Sequence, residues 1–192
     1  RGEWKYYYGS TYNPYQRWRL QKEVQPKEYE ILFADKLVCH QLLSASGLPV
    51  PKLLGYLVPS ENCAQQLAGI ARSSGLTRII IKSSRGKGGR HVYLLEQDNG
   101  AIRIRTGDAS IGLGEFQLPT PAIVEGYIEQ HRALAGVAPS VNTIRTETLL
   151  TRSGEVVILG AFMRFGRGKS PVDNQCSGGL SVGVNLETGR LY

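Results

Sequence analysis

The sequence predicts an α+β fold in which helical segments come first and mainly antiparallel strands follow. Apolar residues recur with the helical period over residues 31–43, whereas short apolar runs fill most of the chain after residue 77. Turn signals such as DNG, RSGE and ETG separate these runs. This arrangement favours consecutive strands joined by short turns, with helices confined to one part of the domain.

Two helices are indicated by spacing and by capping residues. The pair Asp35–Lys36 opens the first helix, and Gly47 stands where a C-terminal capping glycine belongs. Ser60 is predicted to cap a second helix over Glu61–Arg72, which ends before two serines and a glycine. The apolar residues at helical spacing in the first segment are Leu32, Phe33, Leu37, Val38, Leu42 and Leu43.

The strands are predicted from apolar runs that end at turn residues. A short strand should follow the two prolines after the first helix, over residues 52–58. The remaining predicted strands are Arg78–Ser83, His91–Leu95, Ala101–Arg105, Ala122–Ile128, Thr143–Leu150, Val156–Phe165 and Leu180–Asn185. We therefore expect residues 1–30 to be an extension or linker, 31–57 a helix and connector, and 58–192 a strand-rich lobe with the start of a second lobe.

Composition sets the class of protein. The chain has 192 residues, of which 41% are hydrophobic and 20% charged, and no apolar run reaches the length of a membrane span. Cys39, Cys63 and Cys176 are far apart and lack the spacing of metal ligands, so a reduced, cytoplasmic protein is expected. The chain begins without an initiator Met, which we interpret as a piece of a longer protein.

The positive charge is concentrated in one region, and this indicates an anionic partner. The net charge is +7, and residues 72–105 carry eight cations against the two carboxylates Glu96 and Asp98. Nucleic acid and a polyphosphate nucleotide both satisfy this charge, and charge alone does not choose between them. The eight cations are Arg72, Arg78, Lys82, Arg85, Lys87, Arg90, Arg103 and Arg105.

The stretch IIIKSSRGKGGRHVYLL, residues 79–95, has two interpretations. It is either a solvated hairpin or a loop that closes over an anion, because glycines let backbone N–H groups approach a phosphate closely. In the second case Lys82 should aim its ammonium at the turn instead of pairing within the fold. The sequence GRGKS at 166–170 is not a P-loop, since Met163 occupies the place of the first required glycine.

Several motifs occur in one order: DK, GLPVPK, IIIKSSRGKGGRHV, AIVEGYIEQH and ILGAFMRFGRGKSPVDNQCSGG. This series resembles the ATP-grasp superfamily. The stretch VNTIRTETLL…GAFMRFGRG…VDN…GG is similar to its sugar-transfer-associated branch. The resemblance covers about residues 31–189. It implies an ATP-grasp fold of mainly antiparallel sheet lobes with flanking helices, which we expect to be truncated at the C-terminus of this chain.

The resemblance implies an ATP site. Lys36 and Lys82 would contact phosphate, although many members carry Lys-Pro where this chain has Lys82–Ser83. Glu125 would accept a hydrogen bond from the exocyclic amine of adenine or set the strand register, while Tyr127 and Ile128 would offer backbone groups to the purine edge. The residues that match the lid over the phosphates are Ser84, Gly86, Gly88 and Gly89.

Catalysis would depend on Arg164, which matches the cation near the γ-phosphate and would stabilise charge on the transferred group. Secondary candidates are Asn142, Arg145 and Asn174. ATP-grasp enzymes also use Mg²⁺, but no Glu-x-Asn pair of the usual kind occurs in this chain. We expect the metal ligands to lie beyond Tyr192.

The resemblance thus predicts the ATP-binding domain of a carboxylate–amine-type ligase that works through an acyl phosphate and is linked to polysaccharide or cell-envelope synthesis. The given chain would bind ATP but be inactive alone. The carboxylate and the nucleophile are not identified, and nucleic acid is not the expected partner. Two alternatives remain open: a basic, non-enzymatic nucleic-acid-binding domain and a degenerate ATP-grasp scaffold.

Overall fold

The computed structural model describes residues 19, 22, 24–86, 88–98, 100–106, 109–138, 140–167, 173 and 178–192. Most of the predicted extension 1–30 therefore lies outside the described residues, as do Lys87, Asn174 and Cys176. The chain divides into two compact units, one ending at Val50 and the other beginning at Pro51.

The helices of the first unit are set by their capping residues. A 3-10 turn, Lys27–Tyr29, precedes helices α1, Glu30–Ala34, and α2, Lys36–Ala45. Asp35 is extended between the helices, and its Oδ1 accepts from the amide of Leu37 at 3.0 Å. Apolar residues predicted on one helix thus lie on two, and the predicted opening at Asp35–Lys36 belongs to α2.

The predicted C-terminal cap of this helix is confirmed. Gly47 has φ +72°, a conformation that glycine adopts without strain. Its amide donates to the carbonyl of Ser44 at 3.0 Å, and the amide of Leu48 donates to that of Leu43 at 3.0 Å. These two bonds form a Schellman motif, which satisfies carbonyls that the helix end would otherwise leave open.

The second unit contains a six-stranded antiparallel sheet, sheet 1, with strand order β1-β6-β2-β3-β4-β5. Strand β1, which was predicted as part of a connector with the preceding helix, pairs with β6 in this sheet. The strands are β1 Leu53–Leu57, β2 Arg78–Ser83, β3 Val92–Asp98, β4 Ala101–Thr106, β5 Ala109–Gly112 and β6 Ala122–Gly126.

The second unit also contains sheet 2, three antiparallel strands in the order β7-β8-β9. Its strands are β7 Thr143–Leu150, β8 Val156–Phe165 and β9 Leu180–Val184. The pairing register places Ile144, Met163 and Val182 in one row across the sheet. This face is apolar and largely exposed, since Ile144, Leu150, Val156, Ile158 and Leu180 are each more than half exposed.

The one helix predicted in the second unit begins and ends later than expected. Helix α3 spans Cys63–Ser74, and Ser60 is not its side-chain cap; Asn62 holds the N-cap position without a side-chain hydrogen bond. The predicted N-cap was wrong because Ser60 contributes its carbonyl, which accepts from the amide of Cys63 at 3.2 Å. The helix runs through the two serines and stops at left-handed Gly75.

The core lies between α3 and one face of sheet 1. Burial alternates along β2, so that Ile79 and Ile81 are fully buried while the residues between them face the other side. They pack with Leu67 and Ala71 of α3 and with Val124 of β6. Burial also raises the pKa of the Cys63 thiol at the start of α3 and that of the Tyr93 phenol on β3.

We predict that Ile81→Ala destabilises the protein far more than Ile158→Ala. Ile81 is 0% exposed, so its truncation leaves a cavity and should lower the free energy of unfolding by about 2–5 kcal/mol. Ile158 is 52% exposed and should lose at most about 1 kcal/mol. Urea denaturation of both variants measures the difference, and equal losses would contradict this description of the core.

Candidate functional site

The face of sheet 1 opposite α3 carries an ion pair between the adjacent strands β2 and β6. The β2–β6 register pairs Ile80 with Glu125 and Lys82 with Ile123, so Lys82 and Glu125 are diagonal neighbours on one face. The Lys82 Nζ lies 2.6 Å from Glu125 Oε2, and the Glu125 side chain is only 4% exposed. The expectation that Lys82 is unpaired within the fold was therefore wrong.

Lys82 is the second-last residue of β2 and is followed closely by the glycine loop, residues 84–91. Backbone hydrogen bonds close the base of this loop. The amide of Ser83 donates to the carbonyl of His91 at 3.1 Å, and the amide of Ser84 donates to that of Pro121 at 2.9 Å. Ser84 is buried, and its amide is not available to a ligand because it donates to Pro121. The part of the predicted lid that can present N–H groups to a ligand begins after Ser84.

Backbone conformation and close packing favour glycine at three positions of this loop. Gly88 and Gly89 have φ values of +66° and +76°, which disfavour any residue with a Cβ. A Cβ on Gly86 would lie 2.9 Å from the Cβ of Ser83 and 3.2 Å from the carbonyl oxygen of Arg90. Any side chain at these positions would therefore strain or crowd a loop that starts two residues after the lysine.

Strand β6 ends at Gly126, two residues before the predicted end, and residues 127–131 form a segment that we name the hinge. The amide of Tyr127 donates to the carbonyl of Arg78 at 3.3 Å. Within the described part of the chain, the Tyr127 carbonyl and the Ile128 amide make no hydrogen bond. Ile128 is half exposed. The hinge therefore offers one acceptor and one donor, from consecutive residues, to a ligand.

The backbone amide and the side-chain amide of Asn142 make hydrogen bonds to two other segments of the chain. Its backbone N–H and its Nδ2 both donate to Gln130 Oε1, at 2.5 and 3.0 Å, and its Oδ1 accepts from the amide of Gly166 at 3.3 Å. Asn142 is 7% exposed. This secondary candidate thus connects the end of the hinge with the start of β7 and the segment after β8.

Arg164 is held within sheet 2 by a hydroxyl and a carboxylate. Its Nε and Nη2 donate to Thr143 Oγ1, the residue opposite on β7, at 3.1 and 2.8 Å. The Nη2 also lies 3.2 Å from Asp173 Oδ1, and Thr143 Oγ1 donates to Asp173 Oδ2. Asp173 is buried. The guanidinium is therefore neutralised inside the fold, which the sequence did not indicate.

The remaining predicted residues occupy separate places. Lys36 is the first residue of α2 in the first unit, and Arg145 is an exposed residue of β7 opposite Phe162. Among the residues that the structure describes, no three His, Cys, Asp or Glu come together as a metal site. Sequence reasoning missed Arg78, Gln130 and Thr143, because their importance depends on which strands are neighbours.

Carboxylates reduce the charge of the basic region. Lys82 pairs with Glu125, Arg78 with Glu129, and Arg105 with Glu96, at 2.9 Å for the last. Two of these carboxylates lie outside residues 72–105, so the local excess of positive charge is smaller in the fold than in the sequence. This weakens the alternative of a nucleic-acid-binding surface.

An antiparallel sheet with a lysine–carboxylate pair, a glycine loop and a hinge with exposed backbone groups is typical of a nucleotide-binding domain. The model of the sugar-transfer associated ATP-grasp family matches residues 15–192, and the chain belongs to this family. The resemblance stated from the motifs is confirmed, and membership supports ATP binding. No curated protein matches the chain. None of the described helices is long and apolar enough to cross a membrane.

We predict that Gln130 and Asn142 act as one unit in stability. Asn142→Ala removes two side-chain hydrogen bonds at a buried position and should lower the free energy of unfolding by about 1–3 kcal/mol. Gln130→Ala should lose a similar amount, and the double variant should lose less than the two single losses added together. Urea denaturation of the three variants measures the coupling, and strict additivity would contradict the link.

Proposed function

We propose that this chain binds ATP on the face of sheet 1 opposite α3, as the nucleotide-binding part of an ATP-grasp carboxylate–amine ligase. The Lys82–Glu125 pair is the observation that supports this most strongly. A nearly buried carboxylate beside a lysine, on the face away from the core, has no role in packing α3. Burying the Glu125 carboxylate costs desolvation energy, and the partner Lys82 is still 28% exposed, so the pair is more readily explained by ligand binding than by stability.

The donors and acceptors fit adenine and phosphate. Glu125 would accept from the exocyclic amine of adenine, while the Ile128 amide and the Tyr127 carbonyl would bind the ring edge. Lys82 and the amides of Gly88 and Gly89 would approach the phosphates, with the left-handed glycines allowing close contact. Ser84, whose amide is used by Pro121, would shape the loop rather than bind phosphate.

Two of the cations proposed to bind phosphate are already paired with carboxylates in the fold. ATP binding would therefore rearrange these ion pairs. Lys82 would be shared between Glu125 and phosphate, and Arg164 would be shared among Thr143, Asp173 and the terminal phosphoryl group. A guanidinium has several donors, so Arg164 can keep one carboxylate contact while donating to a second anion. Arg145 remains a candidate for a further phosphate contact.

The chemistry that we propose is activation of a carboxylate. ATP would supply the phosphoryl group for an acyl phosphate, and an amine or similar nucleophile would then displace phosphate. This chain would hold the nucleotide in position and neutralise charge through Lys82 and Arg164. The description of the family as sugar-transfer associated supports a link to polysaccharide or cell-envelope synthesis. Cys39 and Cys63 are free thiols, which suits the cytoplasm.

Mg²⁺ accompanies ATP in this superfamily, but the described residues do not fit a metal site. They contain no suitable cluster, and the carboxylate of Asp173 is already engaged by Thr143 and Arg164. No step proposed for these side chains depends on a metal.

We predict that Lys82 contributes directly to ATP affinity. Lys82→Ala alone would leave Glu125 charged and nearly buried, so its effect would mix folding with binding. The sharper comparison is Glu125→Gln against the double variant Lys82→Met/Glu125→Gln, since neither leaves a buried carboxylate. Loss of the lysine should weaken ATP binding about 10- to 150-fold, the value of one charge-assisted contact.

Isothermal titration calorimetry with ATP, at fixed ionic strength, measures both dissociation constants. Circular dichroism confirms that both proteins are folded, and GTP tests preference for adenine. Equal ATP affinities would remove Lys82 from the site. Binding that falls steeply with salt and accepts heparin as readily as ATP would instead support the nucleic-acid alternative.

We predict that the complete ligase of which this chain is the proposed nucleotide-binding part, supplied with its carboxylate substrate, forms an acyl phosphate, whereas this chain alone binds ATP without turnover. Hydroxylamine traps such intermediates as hydroxamates, so a panel of carboxylates can be screened by hydroxamate colour and ADP release. ADP release should require the carboxylate, and it should be lower in Arg164→Met/Asp173→Asn than in Asp173→Asn, because charge on the transferred group is then less stabilised and neither variant leaves a buried carboxylate unpaired. ADP release without any hydroxamate, whichever carboxylate is present, would contradict the ligase assignment.

A further inference from the structure

Arg78 contacts the hinge in three ways. Its backbone carbonyl accepts from the Tyr127 amide at 3.3 Å, its guanidinium carbon lies 4.4 Å from the centre of the Tyr127 ring, and its Nη2 donates to Glu129 Oε1. Tyr127 and Glu129 flank Ile128. The side chain of one residue on β2 therefore holds both neighbours of the residue whose amide is open to a ligand.

The side chain of Arg78 is suited to both contacts at once. A guanidinium is planar, so one face can stack on an aromatic ring while N–H groups at its edge donate to a carboxylate. A lysine ammonium is a point charge and would keep the attraction to Glu129 without the planar stack. Strand pairing fixes the backbone position of Arg78. The adjacent residue Ile79 lies opposite Gly126 in the β2–β6 register, so Arg78 stands beside Tyr127, the next residue of the hinge.

We infer that Arg78 is a positioning residue for adenine, which fixes the Tyr127 carbonyl and the Ile128 amide in the orientation that the purine edge needs. This inference rests on the proposed ATP site and adds to it the residue that sets the geometry of the hinge. Arg78 does not touch the nucleotide in this scheme. It acts through the Tyr127 ring and the Glu129 carboxylate.

The solvent exposure of the Arg78–Glu129 ion pair indicates that its loss should affect nucleotide affinity more than folding stability. The side chains of Arg78 and Glu129 are 40% and 69% exposed, and an ion pair so close to water adds little to folding stability. Hinge geometry, however, decides whether two backbone hydrogen bonds to adenine can form. Loss of Arg78 should therefore weaken adenine binding while leaving the protein folded.

The test compares ATP with inorganic tripolyphosphate, which has the phosphates but no base. Arg78→Ala should weaken ATP binding about 3- to 30-fold, the range expected for a lost stacking contact and ion pair, and should leave tripolyphosphate affinity unchanged. Arg78→Lys should lie between Arg78→Ala and the wild type. Glu129→Gln should weaken ATP binding less than Arg78→Ala does, because the stacking contact remains.

Arg103→Ala is the matched control. Arg78, Glu96 and Arg103 lie in one row across β2, β3 and β4, so this variant removes the same charge from the same face of sheet 1, away from the hinge. It should change neither affinity. Hydrogen exchange without nucleotide supplies a reading that is independent of ATP, since the Tyr127 amide, which donates to the Arg78 carbonyl, should exchange faster in Arg78→Ala than in the control.

The outcomes separate this inference from the proposed function. If the wild type binds no ATP, the proposed function fails, and unchanged exchange at the Tyr127 amide in Arg78→Ala would separately show that the Arg78 side chain does not hold the hinge. If ATP binds but Arg78→Ala has wild-type affinity, only the positioning role is overturned. Equal weakening of ATP and tripolyphosphate would also overturn it, because Arg78 would then act on the phosphates or on folding as a whole.

Discussion

The antiparallel pairing of β2 with β6, two adjacent interior strands of sheet 1, keeps the charged pair off the face that packs against α3. With Ile80 opposite Glu125, the side chains of Ile79, Ile81 and Val124 reach the core. The same register brings Lys82 beside Glu125. A shift of one residue would move Ile79 and Ile81 to the face opposite α3 and the charges under α3, so the apolar core and the charged site require the same register.

Charge is balanced within the fold at both ends of the proposed ligand. Lys82 has Glu125, and Arg164 has Asp173, each carboxylate being nearly buried. Removing one partner of such a pair leaves an uncompensated charge in a poorly solvated place, which is costly. An anionic ligand must therefore compete with a carboxylate for each cation. This favours ligands that make many contacts at once, as a nucleotide does, over a simple polyanion.

The parts of the fold that were predicted well are those decided by local sequence. Strands β2, β7 and β8 have the predicted bounds because apolar runs and turn residues define both ends. Strand β5, Ala109–Gly112, was missed because it is short and contains a single β-branched residue, Ile111. The glycine cap at Gly47 was predicted because that position depends on backbone conformation alone.

The candidate site was harder to predict because its contacts join residues far apart in the chain. The motifs identified Lys82 and Glu125 separately, but only the strand register shows that they pair. Arg78 looked like one cation among eight, and the sequence gives no sign that it reaches Tyr127 and Glu129. Asn142 was expected near the ligand, and its contacts with Gln130 and Gly166 depend on where the hinge ends.

The hinge is held at both ends by different kinds of interaction, and this difference bears on function. At its start, Arg78 makes exposed contacts that contribute little to stability and can be adjusted without unfolding the domain. At its end, Gln130 is bound by the buried Asn142, which also binds the segment after Arg164. A change in hinge conformation should therefore alter the Arg78 contacts first. The Asn142 contacts should keep the end of the hinge fixed relative to β7 and β8. The proposed base-binding edge and the Arg164 cation are thus connected by a short chain of part-buried hydrogen bonds, which supports treating them as parts of one proposed site.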